Sequence, residues 1–172
     1  MADGNFKLQA DSSKPLILGV GNLLMGDEGV GVAAVHRLVE AGLESQADLV
    51  DGGTGGFYLL GLLSSYERVI LIDATMDGQP TGTVSLLKPR FASDFPPSLT
   101  AHDIGLKDLI ESAALLGDLP QVELITVSIG ELSGMTLELS GPVQDSLPRV
   151  EAMVRACLAQ RPILVSSDSS AI

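Results

Sequence analysis

Apolar residues recur along the chain in two rhythms, and their alternation lays out a succession of strands and helices. Leu16, Ile17 and Leu18 form a short apolar run that stops at Gly19-Val20-Gly21, whereas Val30, Val32, Ala33, Val35, Leu38 and Val39 fall at spacings suited to one buried helical face. Ala47 to Val50 reads as a second strand that stops at Asp51-Gly52-Gly53-Thr54-Gly55-Gly56, followed by a helical pattern from Phe57 through Tyr66. Arg68-Val69-Ile70-Leu71-Ile72-Asp73 is almost uninterrupted apolar sequence, as expected of a central strand covered on both faces. Gly82 introduces a further strand through Thr83 to Leu87, and Pro89, Pro96 and Pro97 mark a long irregular connection. A helix start is expected at Ser98-Leu99-Thr100-Ala101-His102-Asp103, with Ile104, Leu106, Leu109, Ile110, Ala113 and Leu116 as its apolar positions and Gly117 as its end. Val122 to Ser128 forms another strand, and Pro142 opens a last amphipathic helix in which Pro148 is a candidate kink.

Strands alternating with helices predict an α/β fold, because each crossover between parallel strands returns along a face of the sheet. The expectation is a single domain with a mainly parallel twisted sheet of about five strands and helices on both faces. A length of 172 residues suits one domain, and 45% hydrophobic composition suffices for a sizeable core. Residues 15–160 make up that domain, with an N-terminal extension (1–14) and a tail (161–172) expected to be flexible. A net charge of −12 with only ten scattered Lys and Arg argues against nucleic acid or an anionic membrane as partner. No stretch is long and apolar enough to span a bilayer. Cys157 is the only cysteine, which rules out an intrachain disulfide and a cysteine-rich metal cluster and suits a reducing cytoplasm. Its neighbours Val154, Ala156 and Leu158 mark it as a buried, inert thiol.

Chemistry concentrates where the first strand meets its helix. Asp27 or Glu28 is expected to open that helix, where free N–H groups and the macrodipole favour a carboxylate, and a plain Asp cap is the competing reading. Gly19 and Gly21 match two glycines of a dinucleotide-binding turn, but the third position is Leu24, and Asp27 and Glu28 would repel a phosphate. Asp51 could still hold a ribose, so the nucleotide reading is weakened rather than excluded.

In open α/β sheets ligands bind beyond the carboxyl ends of strands. Glu28, Asp51 and Asp73 follow the first three strands and are expected to converge there, with His102 within reach. Carboxylates with an imidazole suit a borderline divalent ion such as zinc, nickel or manganese. Each residue also has an ordinary reading: Asp73 satisfying loop amides, Asp51 bracing the glycine turn, His102 sitting near a helix cap. His36 and Glu40, spaced i, i+4, read as a hydrogen-bonded or solvated pair. No Gly-x-Ser-x-Gly elbow occurs, while a metal-free route with a carboxylate base and His102 as acid stays open.

From about Leu16 to about Leu158 the chain resembles the endopeptidases that mature nickel-iron hydrogenases. The resemblance runs through Gly19-Val20-Gly21-Asn22, Gly26-Asp27-Glu28-Gly29, Asp51-Gly52-Gly53-Thr54, Ile72-Asp73-Ala74 and Thr100-Ala101-His102-Asp103-Ile104-Gly105-Leu106. It implies that Glu28, Asp73 and His102 bind the metal and that Asp51, Gly52, Gly53 and Thr54 recognise the substrate. It further implies that Asp51 joins Glu28 and Asp73 in cleavage or in substrate positioning. The implied reaction removes a C-terminal peptide from the nickel-loaded large-subunit precursor of a hydrogenase. Nickel would arrive with that precursor, and other divalent metals could substitute. A nucleotide-binding domain and a noncatalytic assembly chaperone are the alternatives.

Overall fold

Odd and even residues of each strand serve two different cores, so the sheet must be covered on both sides. Ile70, Ile72 and Ala74 enter one core, and Val69 and Leu71 enter the other. The structure, a computed structural model, describes residues 14–90, 94–96, 110–113, 115, 120–131 and 134–160, without the side chain of Phe57. Five strands form one sheet: β1 (Leu16–Val20), β2 (Asp48–Gly53), β3 (Arg68–Thr75), β4 (Val84–Leu87) and β5 (Gln121–Ser128). Their order is β2-β1-β3-β5-β4, parallel throughout except for β4, which runs antiparallel to β5 at the edge. The expected mainly parallel α/β sheet is therefore the one that forms.

Helices α1 (Val30–Glu40) and α3 (Gly141–Ala159) share one face. There Val30, Ala34, Val35 and Leu38 meet Val143, Leu147, Val150, Val154 and Cys157. Helix α2 (Phe57–Leu63) covers the other face through Leu59, Leu62 and Leu63, joined by Tyr66, Phe95 and Ile110. Burial on both sides explains why β1 is uniformly apolar rather than alternating. Residues 110–113 are helical, with Ile110 and Ala113 buried as their spacing predicts. The expected start of that helix, including His102, lies outside the described residues, as do 1–13 and 161–172 of the expected tails.

Two glycines let α1 lie directly on the strands. A Cβ on Gly31 would stand 2.3 Å from the carbonyl oxygens of Val20 and Ile72, and one on Gly19 would stand 2.1 Å from the Gly31 carbonyl oxygen. Side chains at these positions would hold the helix off the sheet.

Several element boundaries differ from the sequence expectation. Strand β2 continues through Asp51, Gly52 and Gly53, with a register shift where Gly19 pairs with Asp51 but Val20 pairs with Gly53. Gly52 is the extra residue of a bulge, which sequence alone cannot distinguish from a loop. A 3-10 turn, Gly26–Gly29, precedes α1, so neither Asp27 nor Glu28 caps the α-helix; Gly29 occupies that position. Helix α2 stops at Leu63, where the hydroxyls of Ser64 and Ser65 donate to the carbonyls of Leu60 and Gly61. Helix α3 carries Pro142 in its first turn and Pro148 in its interior, both where the sequence pattern has them.

The amino-terminal ends of β3 and β5 carry a closed ion network. Arg68 donates through Nε and Nη2 to Glu123 Oε2 at 3.1 and 2.6 Å, and Lys88 Nζ lies 3.1 Å from Glu123 Oε1. The same guanidinium donates to the carbonyls of Cys157 and Gln160, at the end of α3, where a cation is favoured by the helix dipole. Cys157 is fully buried, and that burial, reinforced by Glu123, pushes its thiol up, consistent with an inert side chain.

Candidate active site

Glycine geometry sets the Glu28-bearing turn against the strand ends. Gly21 has φ +143°, and a Cβ there would stand 2.0 Å from the Glu28 carbonyl oxygen. The 3-10 turn packs against β3 and leaves Glu28 only 7% exposed. Asp27 points elsewhere. Its Oδ1 accepts the Ser140 N–H at 2.6 Å and its Oδ2 accepts the Ser140 hydroxyl at 2.8 Å. Asp27 thus braces the start of α3 instead of capping its own helix.

Asp73 lies in β3 and is 1% exposed, with Oδ1 accepting the Ala74 N–H at 2.7 Å. By strand alternation it shares the α2 side of the sheet with Leu71, and its register partner on β5 is Thr126. Thr75 pairs with Ser128 one step further along, so both strands change from apolar to polar on this face as they reach their carboxyl ends. Among the described residues the buried Ser128 hydroxyl has no hydrogen-bond partner. Reading Val122 to Ser128 simply as another strand overlooks these neighbours, whereas its period-two alternation picks out Thr126 and Ser128.

Asp51 is placed differently. It is in register with Gly19, which is in register with Ile72, so its side chain faces α1 on the opposite side of the sheet from Asp73. Asp51 Oδ2 lies 3.1 Å from His36 Nε2, and Oδ1 accepts the Gly53 N–H at 2.9 Å. The bracing role weighed for Asp51 is thus present, and the described partner of His36 is Asp51 rather than Glu40. Gly52 and Gly53 end β2, and the Gly55 N–H donates to the Gly52 carbonyl at 3.0 Å, folding Thr54 into a turn beside them. Among the described residues no three His, Cys, Asp or Glu stand close enough to hold a metal ion. The structure therefore brings the turn of Glu28 against the strand of Asp73 and keeps Asp51 apart from Asp73, while His102 lies outside the described residues.

Residues 21–29 separate β1 from α1, far more than a tight dinucleotide-binding turn uses, and the segment carries two adjacent carboxylates near its end. Fold and site together define a single-domain α/β protein with a carboxylate-bearing edge rather than a phosphate cradle. The hydrogenase maturation protease family HycI matches residues 32–156. The chain is 34% identical over 165 residues to the hydrogenase expression/formation protein HupM of Azotobacter chroococcum mcd 1, covering 92% of this chain and 78% of that protein. It is 30% identical over 147 residues to the hydrogenase 2 maturation protease of Escherichia coli K12, covering 81% of this chain and 90% of that one. Among solved structures, the hydrogenase maturating endopeptidase HybD from E. coli superposes with a TM-score of 0.72 at 28% identity, over 84% of this chain and 91% of its own. HybD from Thermococcus kodakarensis gives 0.68 at 26% identity, over 84% and 99%. The chain belongs to the hydrogenase maturation protease family and is a peptidase. The nucleotide-binding and chaperone alternatives find no support among these relatives.

Proposed function

We propose that this protease acts in the cytoplasm and removes a C-terminal peptide from the nickel-loaded large-subunit precursor of a nickel-iron hydrogenase. The observation that carries the reading is the pair of buried carboxylates, Glu28 on its turn and Asp73 on the strand against which that turn packs. Hard oxygen donors of this kind, with the imidazole of His102 as a third ligand, fit a borderline divalent ion and leave positions for ligands from the substrate. Nickel belongs to the substrate in this scheme. Held in part by the precursor, such an ion would supply Lewis-acid chemistry there, polarising the scissile carbonyl or activating the attacking water.

The chain's own residues supply placement. Glu28 and Asp73 orient the loaded end of the precursor at the carboxyl edge of the sheet. Asp51, with Gly52, Gly53 and Thr54, engages the substrate from the neighbouring strand end and sets its register. Asp51 is poised for that task because His36 and the Gly53 amide hold both of its carboxylate oxygens in place.

Incubation with nickel-loaded and nickel-free precursor, followed by mass spectrometry, tests the proposal. Shortening is expected only for the loaded form. Equal shortening of both forms, or of neither, overturns it.

A further inference from the structure

Exposed apolar side chains are distributed unevenly over this protein. Of the eight large ones among the described residues, six follow the carboxyl ends of the parallel strands: Leu23 and Leu24 after β1, Tyr58 after β2, Met76 after β3, and Met135 and Leu137 after β5. Only Val39 and Leu115 lie elsewhere. Scattered apolar surface needs no explanation, whereas a gathering on one rim marks a place where another molecule sits.

Two of these segments are joined into one surface. The Gly26 N–H donates to the Thr136 carbonyl at 2.8 Å, and the Thr136 N–H donates to the Leu24 carbonyl at 2.9 Å. Leu24 on one segment and Met135 and Leu137 on the other are 52%, 78% and 72% exposed. Beside the junction lies a cleft of about 250 Å³ whose lining includes Asp27, Glu131, Thr136, Glu138 and Ser140. Asp27 is engaged by Ser140, but Glu131 and Glu138 are exposed, and no Lys or Arg stands among the described residues that line the cleft.

We infer that this rim is a substrate-docking surface for an extended segment of the precursor that carries basic side chains next to apolar ones. The inference rests on the proposed function and specifies which part of the substrate's surface chemistry is read. Apolar contact with Leu24, Met135 and Leu137 supplies attraction, and Glu131 and Glu138 select cationic neighbours. The surface is continuous with the turn that carries Glu28, since Asp27 lines the cleft and Glu28 follows it. A second copy of this chain fits poorly, because each copy bears a net charge of −12 and would present the same carboxylates. Anionic lipid is repelled for the same reason. Nor do the terminal stretches outside the described residues suit it: residues 1–13 contain Asp3, Lys7 and Asp11, and residues 161–172 contain Arg161 and Asp168, so neither brings surplus positive charge in its side chains.

The test uses the full chain and its cognate nickel-loaded precursor, with two double variants, Met135→Glu/Leu137→Glu and Glu131→Lys/Glu138→Lys. All four positions are exposed, and unchanged circular dichroism and melting will confirm intact folding. Both variants are expected to raise KM about tenfold or more with kcat unchanged, as loss of uniform substrate binding requires. Added salt should raise KM for the wild type and much less for the charge-reversed variant. Wild-type KM in both variants overturns the docking surface while leaving the protease reading in place. A wild-type protein that neither binds nor cleaves loaded precursor overturns both. Concentration-dependent dimers that Leu137→Glu abolishes in sedimentation would assign the rim to a second copy and overturn the inference alone.

Discussion

At the amino-terminal ends of β3 and β5, buried Glu123 is gripped by Arg68 and Lys88, and Arg68 also holds the last carbonyls of α3. At the opposite ends of the parallel strands the chain turns through Gly21, Gly26, Gly53, Gly55 and Gly56, all at positive φ. Here it carries Glu28, Asp51 and Asp73 and exposes Leu24, Met76, Met135 and Leu137. One end is built to close on itself and the other to receive something. Tyr66 belongs to the closed end, donating to Asp48 at 2.8 Å across the starts of β3 and β2. On the proposed function, stability and chemistry are separated along the strand axis, so substitutions at the two ends should fail in different ways.

The sharpest test of that separation is Asp73→Ala. Processing should fall by more than the roughly 10–100-fold that losing a ligand-orienting partner costs, while the melting curve stays cooperative. Mass spectrometry of the loaded precursor reads the first and circular dichroism the second. Arg68→Ala should do the reverse. It leaves Glu123, 2% exposed, without its nearest cation, and should cost about 3–5 kcal/mol in urea unfolding with cleavage per folded molecule unchanged. Cleavage lost in a still-folded Arg68→Ala protein would break the comparison.

Tyr66 supplies a smaller, pH-dependent effect. Burial, and then the bond to Asp48, pushes its phenol from 10.0 up to about 12. The folded chain keeps this proton at a pH where the unfolded chain has released it. The contribution is complete below the unfolded value and is lost as pH rises through the folded one, a change of about 3 kcal/mol. Tyr66→Phe should therefore flatten the alkaline decline of Tm relative to the wild type. Smallest of all, Asp27→Ala removes two bonds to Ser140 and should cost about 1 kcal/mol, seen as a modest fall in Tm.

The order of strands and helices was legible because both periodicities are strong: β1 and β3 are continuous apolar runs, and the apolar stripes of α1 and α3 match their buried faces. What escaped was decided by contacts distant in sequence. The bulge at Gly52 depends on pairing with β1, and the engagement of Asp27 depends on Ser140, 113 residues away. The strand ends put Glu28 and Asp73 at one edge of the sheet, where the Glu28 turn packs on β3. Convergence of Asp51 with them did not follow, because Asp51 and Asp73 fall on opposite faces once the register across β1 is fixed. Counting residues to the end of a strand gives an edge; only register gives a side.

Helix α3, about 28 Å long at 1.5 Å per residue, is fastened at both tips, by Asp27 on Ser140 at one and by Arg68 on the Cys157 and Gln160 carbonyls at the other. It works as a strut between anchorage and workplace. The two joints are independent, so losing the Ser140 tip would leave the far joint to keep the rod seated, and the frame would outlast a change at the working end.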